Sequence, residues 1–149
     1  MKNNYSVITS NIIMAQFDFS YPKENSSFDI TIHDKISINE VSEKAIEFSV
    51  CRYISYDETE IKMVNVVFSA VVNNEKKESV ESIVKKIREG QIIFDSVYAK
   101  ISTAIADITS SSVFGPLVTI PMCDRKKVEI VKSWNARFYT PWQLHKKIV

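Results

Sequence analysis

The chain has 149 residues, 45% hydrophobic and 25% charged, with a formal net charge of +1. That length suits one domain with its own core, and so small a net charge excludes a global field that dictates a nucleic-acid or membrane partner. No apolar run approaches the ~20 residues that span a bilayer, and MKNNYSVITSNIIMAQF has no basic start ahead of a long apolar block, so a cytoplasmic protein without membrane insertion is expected.

Residues 5–19 read as a strand, with Ile13, Ala15, Phe17 and Phe19 on one face. Ile8 and Ile12 have the opposite parity, which predicts a bulge or break just before Ile13. Tyr21-Pro22 and the polar residues after it form a turn. Residues 27–38 alternate: Phe28, Ile30, Ile32, Ile36 and Ile38 face one way, with Ser27, Asp29, Thr31, His33, Lys35 and Ser37 opposite. This period of two belongs to a strand with one wet face. A polar turn follows near residues 39–43. Residues 45–54 alternate again, with Ile46, Phe48, Val50 and Ile54 on one side. Asp57-Glu58 makes the next turn. Residues 61–72 form a fourth strand on Val64, Val66, Phe68, Ala70 and Val72, and Val67 and Val71 make its second face partly apolar.

Ser79 is placed to cap a helix, and Glu81 complements the dipole of its first turn. Val80, Ile83, Val84 and Ile87 follow helical spacing, and Gly90 falls where such a helix ends. A second helix carries Phe94, Val97, Tyr98, Ile101, Ile105 and Ile108 on one stripe. This stripe reads as core or as a homo-oligomer seam. Ser110-Ser111-Ser112 loosens the chain, Gly115-Pro116 turns it, and Leu117 to Pro121 reads as a short extended strand. Short turns between strands favour antiparallel pairing. The expected class is α+β: a four-stranded antiparallel meander sheet covered by two helices on one side.

Candidate chemistry is sparse. Only Gly90 and Gly115 are glycines, too few for a phosphate-cradling loop. Cys51 and Cys123 are far apart and lack metal or redox spacing, so they read as free thiols. His33 and His145 have no ligand partner at useful spacing. No nucleophile–base pair stands out, so the expectation is a protein that is not an enzyme, with no catalytic residues, no metal and no cofactor. Charge is uneven. From Met122 to Val149 seven basic residues face two acidic ones, a net +5, which leaves −4 on the first 121 residues. This basic segment also carries Trp134, Phe138, Tyr139 and Trp142. Such aromatics either dock the extension onto the body or grip a peptide. Base stacking on single-stranded nucleic acid is the weaker alternative, because the rest of the chain is acidic.

Four strands, two helices and a short apolar segment, in that order, resemble the SecB family of protein-export chaperones. The likeness is sharpest at Tyr98-Ala99-Lys100 and Ile101, then the serine-rich loop, Phe114, Pro116 and Leu117 to Pro121. It covers residues 5–121 and divides the chain into a SecB-like domain (1–121) and a basic aromatic extension (122–149). The chain departs from the family's acidic ending in this extension. The resemblance implies an ATP-independent holdase, a dimer or tetramer, that binds unfolded or extended polypeptide in apolar grooves, with a translocase or an antitoxin as specific partners. The alternative is a dedicated interaction module with one partner. The client-contact candidates are Val113, Phe114 and Leu117 in the loop, and Trp134, Phe138 and Trp142 in the extension.

Overall fold

The structure, a computed structural model, describes residues 5–18, 30–56, 62–112 and 115–132. In chain order the elements are β1 (Val7–Phe17), β2 (Ile30–Val41), β3 (Ala45–Tyr56), β4 (Lys62–Asn73), α1 (Val80–Arg88), α2 (Asp95–Thr109) and β5 (Glu129–Lys132). The class is α+β, with a five-stranded sheet in the order β1-β4-β3-β2-β5.

This order corrects the expected meander in two ways. Only β2, β3 and β4 run as a meander; β1 pairs antiparallel with β4, at the edge of the sheet away from β2. The sheet is also mixed, because β5 joins β2 in parallel, matching Lys35–Ile38 to Glu129–Lys132. Neither feature shows in alternation, which reports faces and not neighbours.

The alternating strands put Ile36, Ile38, Ile46, Phe48, Val50, Ile54, Val64, Val66, Phe68, Ala70 and Val72 in one core. All are even-numbered, so they share one face of the sheet. Ile83 and Ile87 of α1 and Val97, Tyr98, Ile101 and Ile105 of α2 close that core. Burying each such side chain is worth about 1.5–3 kcal/mol. Ser79 caps α1, its side chain accepting from the Ser82 amide, and Gly90 follows the helix with φ 78°. Phe94 precedes α2 and meets Phe48 edge-on, with centroids 4.9 Å apart.

β1 breaks the simple alternation. Its register slips at Ile8 and again at Ile13. Before the second slip Ile12 pairs with the core residue Phe68; after it Ala15 pairs with Val66. The core-facing parity therefore switches across Ile13, as a bulge requires. Ile13 itself is half-exposed and does not share a buried face with Phe17, contrary to expectation. Met14 is buried on the other face, paired with Val67, which accounts for the apolar second face of β4.

A second network ties β1 to the helical layer. Lys86 Nζ donates to the Tyr5 hydroxyl (2.5 Å) and to Glu78 Oε1, and Tyr5 donates to the same carboxylate (2.8 Å).

Candidate functional site

Both core-facing runs of β2 and β3 are interrupted by a charge. Asp34 stands between Ile32 and Ile36, and Arg52 between Val50 and Ile54. The two residues are register partners on adjacent strands. Arg52 is 2% exposed, and its guanidinium grips Asp34 with both arms, Nε to Oδ1 at 2.7 Å and Nη2 to Oδ2 at 2.9 Å. Fork-to-fork pairing of this kind is among the stronger hydrogen-bonded geometries.

The remaining donors reach the segment after the second helix. Nη2 also donates to the Met122 carbonyl (2.8 Å), and Nη1 donates to Thr119 Oγ1 (3.1 Å) and to the Ile120 carbonyl. All five guanidinium hydrogens thus have an acceptor. The Tyr98 ring lies under the guanidinium, 5.0 Å from its carbon. Burial first, and then the negative charge of Asp34, push the Tyr98 hydroxyl far above the usual phenol range. Tyr98 therefore stays a neutral phenol.

Residues 117–122 form a strap across this arginine, irregular to Ile120 and bent at Pro121 and Met122. Among the described residues it pairs with no strand, which corrects the expected short strand. Pro116 and Pro121 have no amide hydrogen to offer a ladder, and side chains take its carbonyls: Arg52 those of Ile120 and Met122, Ser102 that of Thr119 (2.5 Å). Leu117 packs half-buried on the core and Thr119 is buried, so the alternate residues point out. Val118, Ile120 and Met122 are 81%, 64% and 51% exposed. Three large exposed apolar side chains this close in one segment make a ridge that water does not favour.

The ridge runs into a crevice of about 410 Å³. Buried Ile36, Ile87, Ile92 and Phe94 form its floor, Ile93 and Met122 its exposed apolar lip, and Asp95, Asp124, Arg125 and Lys126 its charged rim. Cys123 also lines it; burial, reinforced by Asp34 and Asp95, pushes its thiol up to about 11. A protonated thiol is a poor nucleophile. Neither Cys51 nor Cys123 is in a disulfide. Among the described residues no acidic, histidine or cysteine group has metal-binding spacing, and no helix is long and apolar enough to cross a membrane.

No protein-family model matches the chain, nor does the sequence of any curated protein. Solved structures do match in shape. A SecB-like chaperone of Mycobacterium tuberculosis, in complex with a ChAD peptide from the HigA1 antitoxin, superposes with a TM-score of 0.56 at 11% identity. The match covers 80% of this chain and 88% of that one. The fold is SecB-like. A Streptococcus agalactiae protein of unknown function aligns more loosely, with a TM-score of 0.39 at 9% identity, over 78% of this chain and 95% of that one.

Within the SecB-like fold the residues singled out from sequence separate into three groups. Phe94, Val97, Tyr98, Ile101 and Ile105 are buried in the chain's own core, with Ile108 packed half-buried against it. Leu117 also turns inward, so it anchors the strap while its neighbours face solvent. Val113, Phe114, Trp134, Phe138 and Trp142 lie outside the described residues. The pattern did not single out Val118, Ile120 and Met122 as the outward set, nor Arg52 and Asp34 beneath them. A signal for the pair was present: two opposite charges interrupt the apolar parity of consecutive strands.

Proposed function

We propose that the protein is an ATP-independent holdase that binds non-native or extended polypeptide along the strap and its crevice. The observation that carries this is the row Val118, Ile120 and Met122, held exposed beside an apolar-floored cavity. An extended client would cover the row with alternate apolar side chains and place an anchor in the crevice. The structural neighbour of similar fold that holds an antitoxin peptide supports a polypeptide ligand. In this reading the protein is a binder and not an enzyme; it needs no cofactor and takes no nucleic acid. It works in the cytoplasm, on export clients or within a toxin–antitoxin system, with a translocase or an antitoxin as a specific partner.

The functional unit is a homo-oligomer, a dimer or tetramer. Among the described residues β1 has one partner strand, β4, and Ile8, Ile12 and Ile13 are exposed along it. An apolar edge strand of this kind invites pairing with another copy.

The deciding experiment combines aggregation of a reduced, unfolding client with photo-crosslinking of an apolar peptide. Suppression of aggregation at near-equimolar ratio, with crosslinks in residues 117–126, is the expected result. No suppression and no crosslinks in that segment would sink the reading. Capture of a single partner without suppression would replace it by a dedicated interaction module.

A further inference from the structure

The ridge has little apolar burial behind it. Within the strap only Leu117 packs on the core, and the other inward residue is the polar Thr119. The attachment is mostly polar, and three of the five Arg52 hydrogen bonds end on it. We infer that Arg52, oriented by Asp34, is the positioning residue of the polypeptide-binding ridge: by holding the carbonyls of Ile120 and Met122 it keeps their side chains turned to solvent.

In an extended segment residues two apart share a face. Arg52 holds Thr119 Oγ1 as well as the Ile120 carbonyl, so residue 119 stays turned inward and Val118 and Ile120 on either side face out, while the bond to the Met122 carbonyl fixes the bend at Pro121, whose φ is already restricted. A slip of one residue would turn Val118 and Ile120 inward and Thr119 outward, because the side-chain period is two. Stability alone does not call for this device. Neighbouring core positions in the same strands are Ile36, Val50 and Ile54, and an apolar pair of similar volume is often as stabilising as a buried ion pair. What apolar residues cannot do is donate to backbone carbonyls. Lysine cannot replace the arginine either: its three donors lack the planar fork that reaches a carboxylate and three strap oxygens together.

This inference rests on the ridge being the client surface, and its test separates the two. The double variant Arg52→Met/Asp34→Leu removes both charges, so neither is left buried alone. Three quantities are measured on the full chain: the thermal midpoint, the rate of thermolysin cleavage within residues 117–122 mapped by mass spectrometry, and the affinity for a fluorescent reduced, alkylated unfolded protein. The midpoint is expected to stay close to the parent's while cleavage accelerates about tenfold through a raised open population, and client affinity falls about tenfold. A folded double variant with parental cleavage and affinity overturns the inference. Faster cleavage with unchanged affinity also overturns it, since the strap would then be released without consequence for binding. Should the double variant not fold, Arg52→Lys keeps the positive charge and reports the same two quantities. If the parent protein binds no client, the functional reading fails, and the cleavage rate alone decides whether Arg52 holds the strap.

Discussion

Gly90 lies directly against the guanidinium of Arg125: a β-carbon on residue 90 would sit 2.6 Å from Arg125 Nη1. Gly90 also has φ 78°, a left-handed conformation that favours glycine. Arg88 adds a hydrogen bond to the Arg125 carbonyl at 2.9 Å. The end of α1 is thus docked on the turn that forms the charged rim of the crevice. Gly90→Ala is expected to destabilise the protein by about 1–2 kcal/mol in urea unfolding. Adding Arg125→Ala should restore the steric part of that loss and leave the backbone part, so the two substitutions will not be additive.

Phe94 joins the core to the crevice. It is 3% exposed and packs edge-on against Phe48. Phe94→Ala removes that contact and opens the crevice floor, at an expected cost of about 3–5 kcal/mol in chemical denaturation. Phe94→Leu should lose much less, because it refills most of the volume.

The Tyr5–Glu78–Lys86 cluster gives stability a pH dependence at both ends. Burial works to raise Glu78, but the hydrogen bonds from Lys86 and Tyr5 outweigh it and hold the carboxyl below its usual value. Its contribution is complete above the unfolded carboxylate range and is lost as pH falls through the lower folded value. Lys86 is the mirror case: burial works to lower it, but the bonds to Glu78 and Tyr5 hold it above its ordinary value. That contribution is complete below the ordinary lysine range and is lost as pH rises through the higher folded value. Glu78→Gln should cost about 1 kcal/mol at neutral pH and flatten the acid limb of a stability profile measured by urea titration. An acid limb as steep as the parent's would show that the carboxylate is not the source.

The ridge should be separable from the fold. Val118 and Ile120 are 81% and 64% exposed, so Val118→Asp and Ile120→Asp are expected to change the thermal midpoint little. Both should abolish suppression of client aggregation, since each places a charge where an apolar client side chain would be buried. Unchanged suppression in the double substitution would remove the ridge from the binding surface.

The edge of β1 carries the assembly prediction. Ile12→Lys and Ile13→Lys put positive charge on the exposed edge residues. Light scattering should show the oligomer falling to half its mass or to the monomer. A monomeric parent protein would exclude the edge as an interface.

Much of the architecture was legible because it rests on local periodicity. Alternation of two marked β2, β3 and β4, helical spacing marked α1 and α2, and Ser79 and Gly90 marked where the first helix begins and ends. The change of parity read just before Ile13 marked the bulge, which the register places between Ile12 and Met14. Partner choice was not legible, because periodicity assigns a residue to a face and says nothing about which strand lies beside it. The placement of β1 against β4 and the parallel docking of β5 therefore emerged only from the folded chain. The site was half legible. The apolar segment after Gly115-Pro116 was visible as a short strand with Leu117 as its client candidate, but which of its residues face outward was not, since alternation leaves the choice of side to whatever lies underneath.

The sequence by itself determined the first four strands, the apolar face of the sheet, the two helices that cover it and the scarcity of groups for chemistry. All of these follow from local spacing and composition. Tertiary structure decided the ridge. Asp34 and Arg52, 18 positions apart, become neighbours only when β2 and β3 pair, and Arg52, oriented by Asp34, then donates to the carbonyls of a segment nearly seventy residues further on. That grip holds Thr119 inward and so leaves Val118 and Ile120 outward, because along such a segment neighbouring side chains take opposite faces.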